Sequence, residues 1–347
     1  MAFVPLITPS RSFVPARIPQ LSPRLPQAVP VVSRGRMSPS LPKMTAVAQP
    51  STAASKLTDA AELISRTNVF IFDCDGVIWR GDSLIDGIPQ TIEYLRSIGK
   101  RVFFVTNNST KSRAGYLKKF TKLGLDAQAE EIFSSSFAAA AYLEQTNFKE
   151  TGKKVYIIGE IGIPQELDLI DVPYIGGPDD SAKQPNMDPG GRLEHDPDVG
   201  AVIVGFDRFI NYYKIQYAQL CINENPGCKF IATNLDAVTH LTDAQEWAGN
   251  GAMVGAIRGC TGQEPILVGK PSPLMIDYIV SKYDIERSEI CMVGDRLDTD
   301  ILFGKDNGLS SVLALSGVTT EARLKDPTND IQPDSYVDSI ADFLPRQ

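Results

Sequence analysis

The stretch Val69-Phe70-Ile71-Phe72-Asp73-Cys74-Asp75-Gly76-Val77 decides how this chain is read. Four consecutive apolar, β-favouring residues with no polar alternation suit a strand buried on both faces, as in a parallel sheet. The run ends abruptly in two carboxylates two residues apart, followed by a glycine that lets the backbone turn. Both acids can then face a crevice beyond the strand. A lone Asp at such a place is often only a turn or helix cap, but this spacing after a buried strand suits a nucleophile beside a proton shuttle.

Three further apolar runs behave alike. Val102-Phe103-Phe104-Val105 leads into Thr106, Ile266-Leu267-Val268 leads through Gly269 into Lys270, and Ile290-Cys291-Met292-Val293 leads through Gly294 into Asp295. Helical stretches lie between them, among them 88–98 and 274–282, so the pattern implies an α/β fold with a doubly wound parallel-sheet core. Ligands in such sheets sit beyond the carboxyl ends of the strands, where these four polar groups should converge.

About 160 residues separate the second run from the third, far more than a crossover needs. The excess implies an inserted α/β cap, with strands at 155–158, 201–204 and 229–232, a helix near 212–223 and a loop at 176–200 expected to be mobile. The expected division is a disordered segment over 1–58, core over 59–147, cap over 148–265 and core again over 266–347.

Composition narrows the function. Up to Thr58 there is no Asp or Glu, while seven Arg and Lys and ten of the 24 prolines fall there, the composition of an organellar transit peptide. Its removal would take the net charge from −8 to −15, which disfavours nucleic acid as a partner. No stretch approaches the ~20 uninterrupted apolar residues of a membrane span. The five cysteines form no C-x-x-C pair and only two histidines are present, so neither a disulfide framework nor structural zinc is indicated. Cys74, between the two acids, reads as a redox candidate or as packing, and packing is the commoner role.

Thr106-Asn107-Asn108-Ser109 offers hydroxyl, amide and backbone donors for phosphate oxygens, or equally a cap for the helical segment 111–123. Lys270 can neutralise developing phosphoryl charge. Gly294-Asp295-Arg296-Leu297-Asp298-Thr299-Asp300 adds carboxylates without His or Cys, which selects a hard ion such as Mg²⁺.

Asp-x-Asp-Gly-Val, Thr-Asn-Asn-Ser, Gly-Lys-Pro-Ser and Gly-Asp-Arg-Leu-x-Thr-Asp, in this order, resemble the four motifs of the haloacid dehalogenase phosphatases. The long insert resembles their large α/β cap, as in the branch of phosphoglycolate, pyridoxal and nitrophenyl phosphatases. Val204-Gly205-Phe206-Asp207, Asn225-Pro226-Gly227-Cys228 and the stretch Ala237 to Gly249 are similar to plant and algal phosphoglycolate enzymes in particular.

The resemblance implies Mg²⁺-dependent hydrolysis of a small phosphoester through an aspartyl phosphate, 2-phosphoglycolate first and pyridoxal 5′-phosphate as the alternative, in the chloroplast stroma. It makes Asp73 nucleophile and metal ligand, and Asp75 general acid–base and, through its backbone carbonyl, a ligand. Asp295 completes the ligands, and Asp300 supports them from behind. Thr106 and Lys270 grip the phosphoryl oxygens, with Asn107 and Asn108 in support. Thr239, His240 and Thr242 are the cap residues expected to choose the substrate, and a homodimer through the cap is the partner it leaves room for. A phosphoacceptor signalling module shares the Asp, Thr and Lys, but a second acid and a long cap argue for turnover.

Overall fold

The computed structural model describes residues 54–345, with 240 and 243 excepted. The expected transit segment therefore lies outside the described residues up to position 53, and so does His240. In chain order the strands of the first half are β1 (Ser55–Lys56), β2 (Val69–Phe72), β3 (Trp79–Arg80), β4 (Ser83–Leu84), β5 (Arg101–Thr106), β6 (Ile132–Ser134), β7 (Lys154–Ile158) and β8 (Tyr174–Gly176). Those of the second half are β9 (Val199–Val204), β10 (Lys229–Ala232), β11 (Val238–Thr239), β12 (Trp247–Ala248), β13 (Ile266–Leu267), β14 (Ile290–Gly294), β15 (Ser310–Ala314) and β16 (Ser335–Val337).

A seven-stranded sheet has the order β1-β16-β15-β14-β2-β5-β6, and every neighbouring pair in it is parallel. The chain leaves β2 toward β5 on one side and returns to β14 on the other, so the topological switch falls at the end of β2, where Asp73 stands. Successive residues of the strands point to opposite faces. Phe70, Phe72, Val102 and Phe104 pack with Ile88, Ile92 and Leu95 of the helix Ile88–Ser97 and with Tyr116 and Phe120 of the helix Arg113–Lys122. Ile71, Phe103 and Val105 pack on the other face with Ala138–Ala141 and with Met275, Ile276 and Ile279. Burial on both faces is why these strands carry continuous apolar runs.

The insert forms a second parallel sheet in the order β13-β10-β9-β7-β8. Its inner residues Val155, Ile157, Ala201, Ile203 and Ile231 belong to the same apolar cluster as Ile71 and Phe103, so one hydrophobic core joins the two sheets. A short helix, Gly162–Asp168, docks beneath the loop after β5. There the fully buried Glu166 accepts from the backbone N–H of Arg113 (2.6 Å) and pairs with its guanidinium (2.9 Å).

Two expectations need correction. Ile266-Leu267 does not join the core sheet: it pairs with Ile231-Ala232 as an edge strand of the cap sheet, so the boundary drawn at 265/266 precedes that strand instead of following it. A short apolar run carries no information about which of two parallel sheets it will enter. The segment read as disordered through residue 58 is also too long, because Ser55-Lys56 pairs with Ser335-Tyr336 and Lys56 bonds Asp338. The loop 176–200, expected to be mobile, is bonded to the cap near both of its ends. The buried Asp180 takes the hydroxyl of Tyr156 at 3.0 Å, and the Asn225 side chain donates to the carbonyl of Asp196 at 3.0 Å. Among the described residues no helix is long and apolar enough to cross a membrane.

A chain beginning at Ala54 keeps β1 and the packing of Leu57, whereas one beginning at Asp59 loses both. The shorter chain is expected to be less stable by about 1–2 kcal/mol, the scale of one partly buried apolar side chain. Equal melting temperatures for the two truncations would show that the edge strand contributes nothing.

Candidate active site

The ends of β2, β5 and β14 bring their polar residues to one place. Among the described residues Lys270 is the only ammonium in it, almost fully buried at 1% exposure. Its Nζ lies 2.5 Å from Asp73 Oδ1, 2.7 Å from Asp300 Oδ1 and 2.8 Å from the carbonyl of Val105, next to Thr106. The contact with Asp300 is an ion pair without hydrogen-bond alignment, which leaves that oxygen without a conventional donor. The other oxygen of Asp300 accepts from the backbone N–H groups of Asp295 (3.1 Å) and Arg296 (3.0 Å), folding the loop back on itself.

Asp295 is held from the opposite side. Its Oδ2 accepts from the N–H of Val318 at 2.6 Å, and its carbonyl accepts from Thr319 at 3.1 Å. Sequence reading missed this loop, Ser316-Gly317-Val318, which follows β15; its one signal is a Ser-Gly turn at the end of a fourth core strand. A side chain at Gly317 would collide with the Asp295 carboxylate.

One ammonium faces three buried acids, and the electrostatics show the imbalance. Burial lifts the Asp73 carboxyl well above its usual range; Lys270 pulls it back, while Asp300 and Asp295 push it further up. Burial, then Asp300, raises Asp295 to about 7 against the opposing pull of Val318, Lys270 and Arg296. Burial works against the charge on Lys270, but Asp300 and Asp73 outweigh it and hold its pKa above the ordinary value. Ligand oxygens of Asp73, Asp295 and Asp300 lie within 4.8 Å of one another. A buried, all-oxygen, anionic cluster short of positive charge fits a hard divalent cation.

Other expected residues are placed differently. The side chain of Asp75 is not in the cluster: its Oδ1 accepts from the indole Nε1 of Trp79 at 2.8 Å, and the residue is exposed. Trp79 follows four residues later, just beyond the same motif, so the partner was visible in the sequence although its role was not. Thr106 Oγ1 accepts from the N–H of Asn108 at 3.1 Å, which leaves its own hydroxyl hydrogen to donate. The carbonyl oxygen of the Asn108 side chain is occupied by the N–H (3.0 Å) and hydroxyl (2.7 Å) of Thr110. The side chain of Asn107 turns to the backbone of Lys270. The helix after the motif is capped by Ser112, whose Oγ accepts from Gly115, so Thr106-Ser109 is not its cap. Cys74 is wholly buried, and burial with the flanking Asp73 and Asp75 pushes its thiol well up, which favours packing over reactivity.

On the cap side, 236–247 forms a hairpin in which Val238-Thr239 pairs with Trp247-Ala248. Thr239 is half-buried in its strand, and Thr242 Oγ1 accepts from the Trp247 indole at 3.2 Å. Asp236, at the base of the hairpin, reaches the core: its carboxylate lies 3.3 Å from Asn107 Nδ2.

Two family models match the chain, haloacid dehalogenase-like hydrolase over residues 70–173 and HAD-hydrolase-like over residues 267–343. The chain belongs to the haloacid dehalogenase-like hydrolases. This hydrolase is 62% identical to phosphoglycolate phosphatase 1A, chloroplastic, of Arabidopsis thaliana over 84% of its own length and 80% of that protein. It is 53% identical to phosphoglycolate phosphatase 2 of the same plant over 81% of its length and 94% of that protein. Among solved structures it is similar to the p-nitrophenyl phosphatase of Archaeoglobus fulgidus, with a TM-score of 0.67 and 29% identity, covering 80% of this hydrolase and 97% of that chain.

Gly317→Ala should displace the Asp295 carboxylate. Since a shift of about 1 Å in a catalytic group can cost ~10²-fold, turnover is expected to fall on that scale with little change in the far-UV circular dichroism spectrum. Wild-type turnover in this variant would show that Asp295 is not held by the 316–318 loop.

Proposed function

We propose that this phosphatase hydrolyses 2-phosphoglycolate to glycolate and phosphate through an aspartyl phosphate on Asp73. The observation that carries the substrate is the 62% identity with the Arabidopsis phosphoglycolate phosphatase across 84% of the chain, a span that includes the cap. The buried contact between Asp73 and Lys270 supports the chemistry.

In the first step a carboxylate oxygen of Asp73 bonds to phosphorus as the ester P–O bond breaks, and the departing alkoxide takes a proton from Asp75. In the second, Asp75 takes a proton from water as the water oxygen bonds to phosphorus, and the bond from phosphorus to Asp73 breaks. Lys270 offsets the charge that develops on the phosphoryl oxygens, and the Thr106 hydroxyl donates to one of them. Haloacid dehalogenase phosphatases generally use Mg²⁺; here Asp73, Asp295 and the backbone carbonyl of Asp75 would hold it, with Asp300 bracing Asp295 and Lys270. When bound, that ion offsets the repulsion between the phosphate dianion and Asp73.

The hairpin 236–247 is the surface assigned to choosing the leaving group, with Thr239 and Thr242 as polar candidates, and His240 beside them in sequence. The acid-free N-terminal segment and the chloroplastic relatives support import into the chloroplast stroma. A homodimer through the cap remains part of this reading.

Asp73→Asn removes the nucleophile at almost constant volume and is expected to abolish turnover, while Asp75→Asn should cost ~10²–10⁴-fold. A substrate panel with 2-phosphoglycolate, pyridoxal 5′-phosphate and p-nitrophenyl phosphate tests the specificity. Higher kcat/KM for either of the others would reassign the substrate.

Stability gives a test independent of catalysis. Asp295 titrates near 7 in the metal-free protein, above its unfolded value, so ionising it destabilises the fold as pH rises from about 4 through 7. Mg²⁺ favours the ionised form and should therefore raise the melting temperature more at pH 8 than at pH 6. An equal or reversed difference would count against Asp295 as a ligand.

A further inference from the structure

Asn107 stands in the Thr-Asn-Asn-Ser motif, where phosphate binding is the obvious role, yet its side chain has no donor left for a phosphoryl oxygen. An Asn amide carries two N–H bonds and one carbonyl oxygen. The oxygen of Asn107 accepts from the backbone N–H of Lys270 at 2.8 Å, and Nδ2 donates to the backbone carbonyl of Lys270 at 3.1 Å. The remaining N–H faces the Asp236 carboxylate at 3.3 Å. Asn107 and Lys270 are both buried.

Chain geometry explains why such a clamp is needed. Lys270 follows the edge strand of the cap sheet, whose last ladder bond runs from Val268 N–H to the carbonyl of Ala232 at 3.1 Å. Beyond that bond, among the described residues, no core strand bonds the backbone of residue 270, although its ammonium lies among core acids. The Asn107 amide supplies the donor and acceptor that a neighbouring strand would otherwise provide. Gly269 makes the approach possible, since a Cβ there would stand 2.7 Å from Asn107 Oδ1 and would collide with the carbonyl of Thr233.

Asp236 is fixed on the cap side. Its carboxylate accepts from Asn234 Nδ2 at 2.8 Å, and its carbonyl accepts from the N–H of Gly251 at 2.9 Å, at the start of the helix Asn250–Thr261. We infer that Asn107 is a positioning residue: it pins the backbone of Lys270 and ties it, through Asp236, to the substrate-facing hairpin of the cap, without touching the phosphoryl group. The inference rests on the phosphatase reading and deepens it, because the segment that selects the leaving group is thereby linked to the lysine that grips the phosphate.

The test uses the full chain with Mg²⁺ and inorganic phosphate as the probe, with affinity read by titration calorimetry. Asn107→Asp keeps the shape and the acceptor but turns an oxygen toward two other oxygens. It is expected to weaken phosphate binding ~10-fold in the wild-type background and less than ~2-fold in the Lys270→Met background. Adding Asp236→Asn should recover part of the loss, since the donor then comes from position 236. Equal losses in both backgrounds would mean direct contact with phosphate and would overturn the inference. No loss at all in the wild-type background would overturn it as well. If Lys270→Met does not fold, the exchange at 107 and 236 decides alone, and failure to recover any affinity is the negative result. Should Asn107→Asp itself not fold, Asn107→Ala is compared in the same two backgrounds. A chain that binds phosphate but ignores 2-phosphoglycolate would overturn the substrate assignment and leave this inference standing.

Discussion

The ammonium of Lys270, buried between Asp73, Asp300 and the carbonyl of Val105, is the contact around which the site is organised. Asp73, Asp295 and Asp300 could not share so small a buried space as anions without it, and even with it two of their carboxyls are raised above the ordinary range. A buried charge left without its partner costs several kcal/mol, so each member of the group constrains the others. The loops that hold them follow from this: Asp300 folds the 295–300 turn back on itself, and Val318 fixes Asp295 from the far side.

That arrangement assigns the two sheets different tasks. The seven-stranded sheet supplies the acids and Thr106 from the ends of parallel strands, at the switch point where the chain's direction across the sheet reverses. The cap sheet supplies the lysine, because the segment carrying it leaves the edge strand Ile266-Leu267 and only then crosses to the core. Cap and core share one apolar cluster and the ion pair of the buried Glu166 with the half-buried Arg113, so the lysine arrives from an element already packed on the core. Two side chains in or next to the core motifs serve placement: Trp79 holds Asp75, and Asn107 holds the backbone of Lys270.

The sequence by itself determined the chemistry and the class of fold. Continuous apolar runs ending in Asp73, Thr106 and Asp295 specify buried parallel strands with polar groups at their carboxyl ends, because strand burial and strand-end polarity are local properties of a few consecutive residues. The absence of His and Cys from the loop 294–300 likewise points to a hard, all-oxygen donor set. Tertiary structure alone decided which sheet Ile266-Leu267 joins and what Asn107 and Asp236 bind. Those outcomes depend on partners up to 163 residues away. Such partners are chosen by the packing of two sheets on one shared core, and the residue types at positions 107 and 270 would have allowed direct phosphate contact equally well.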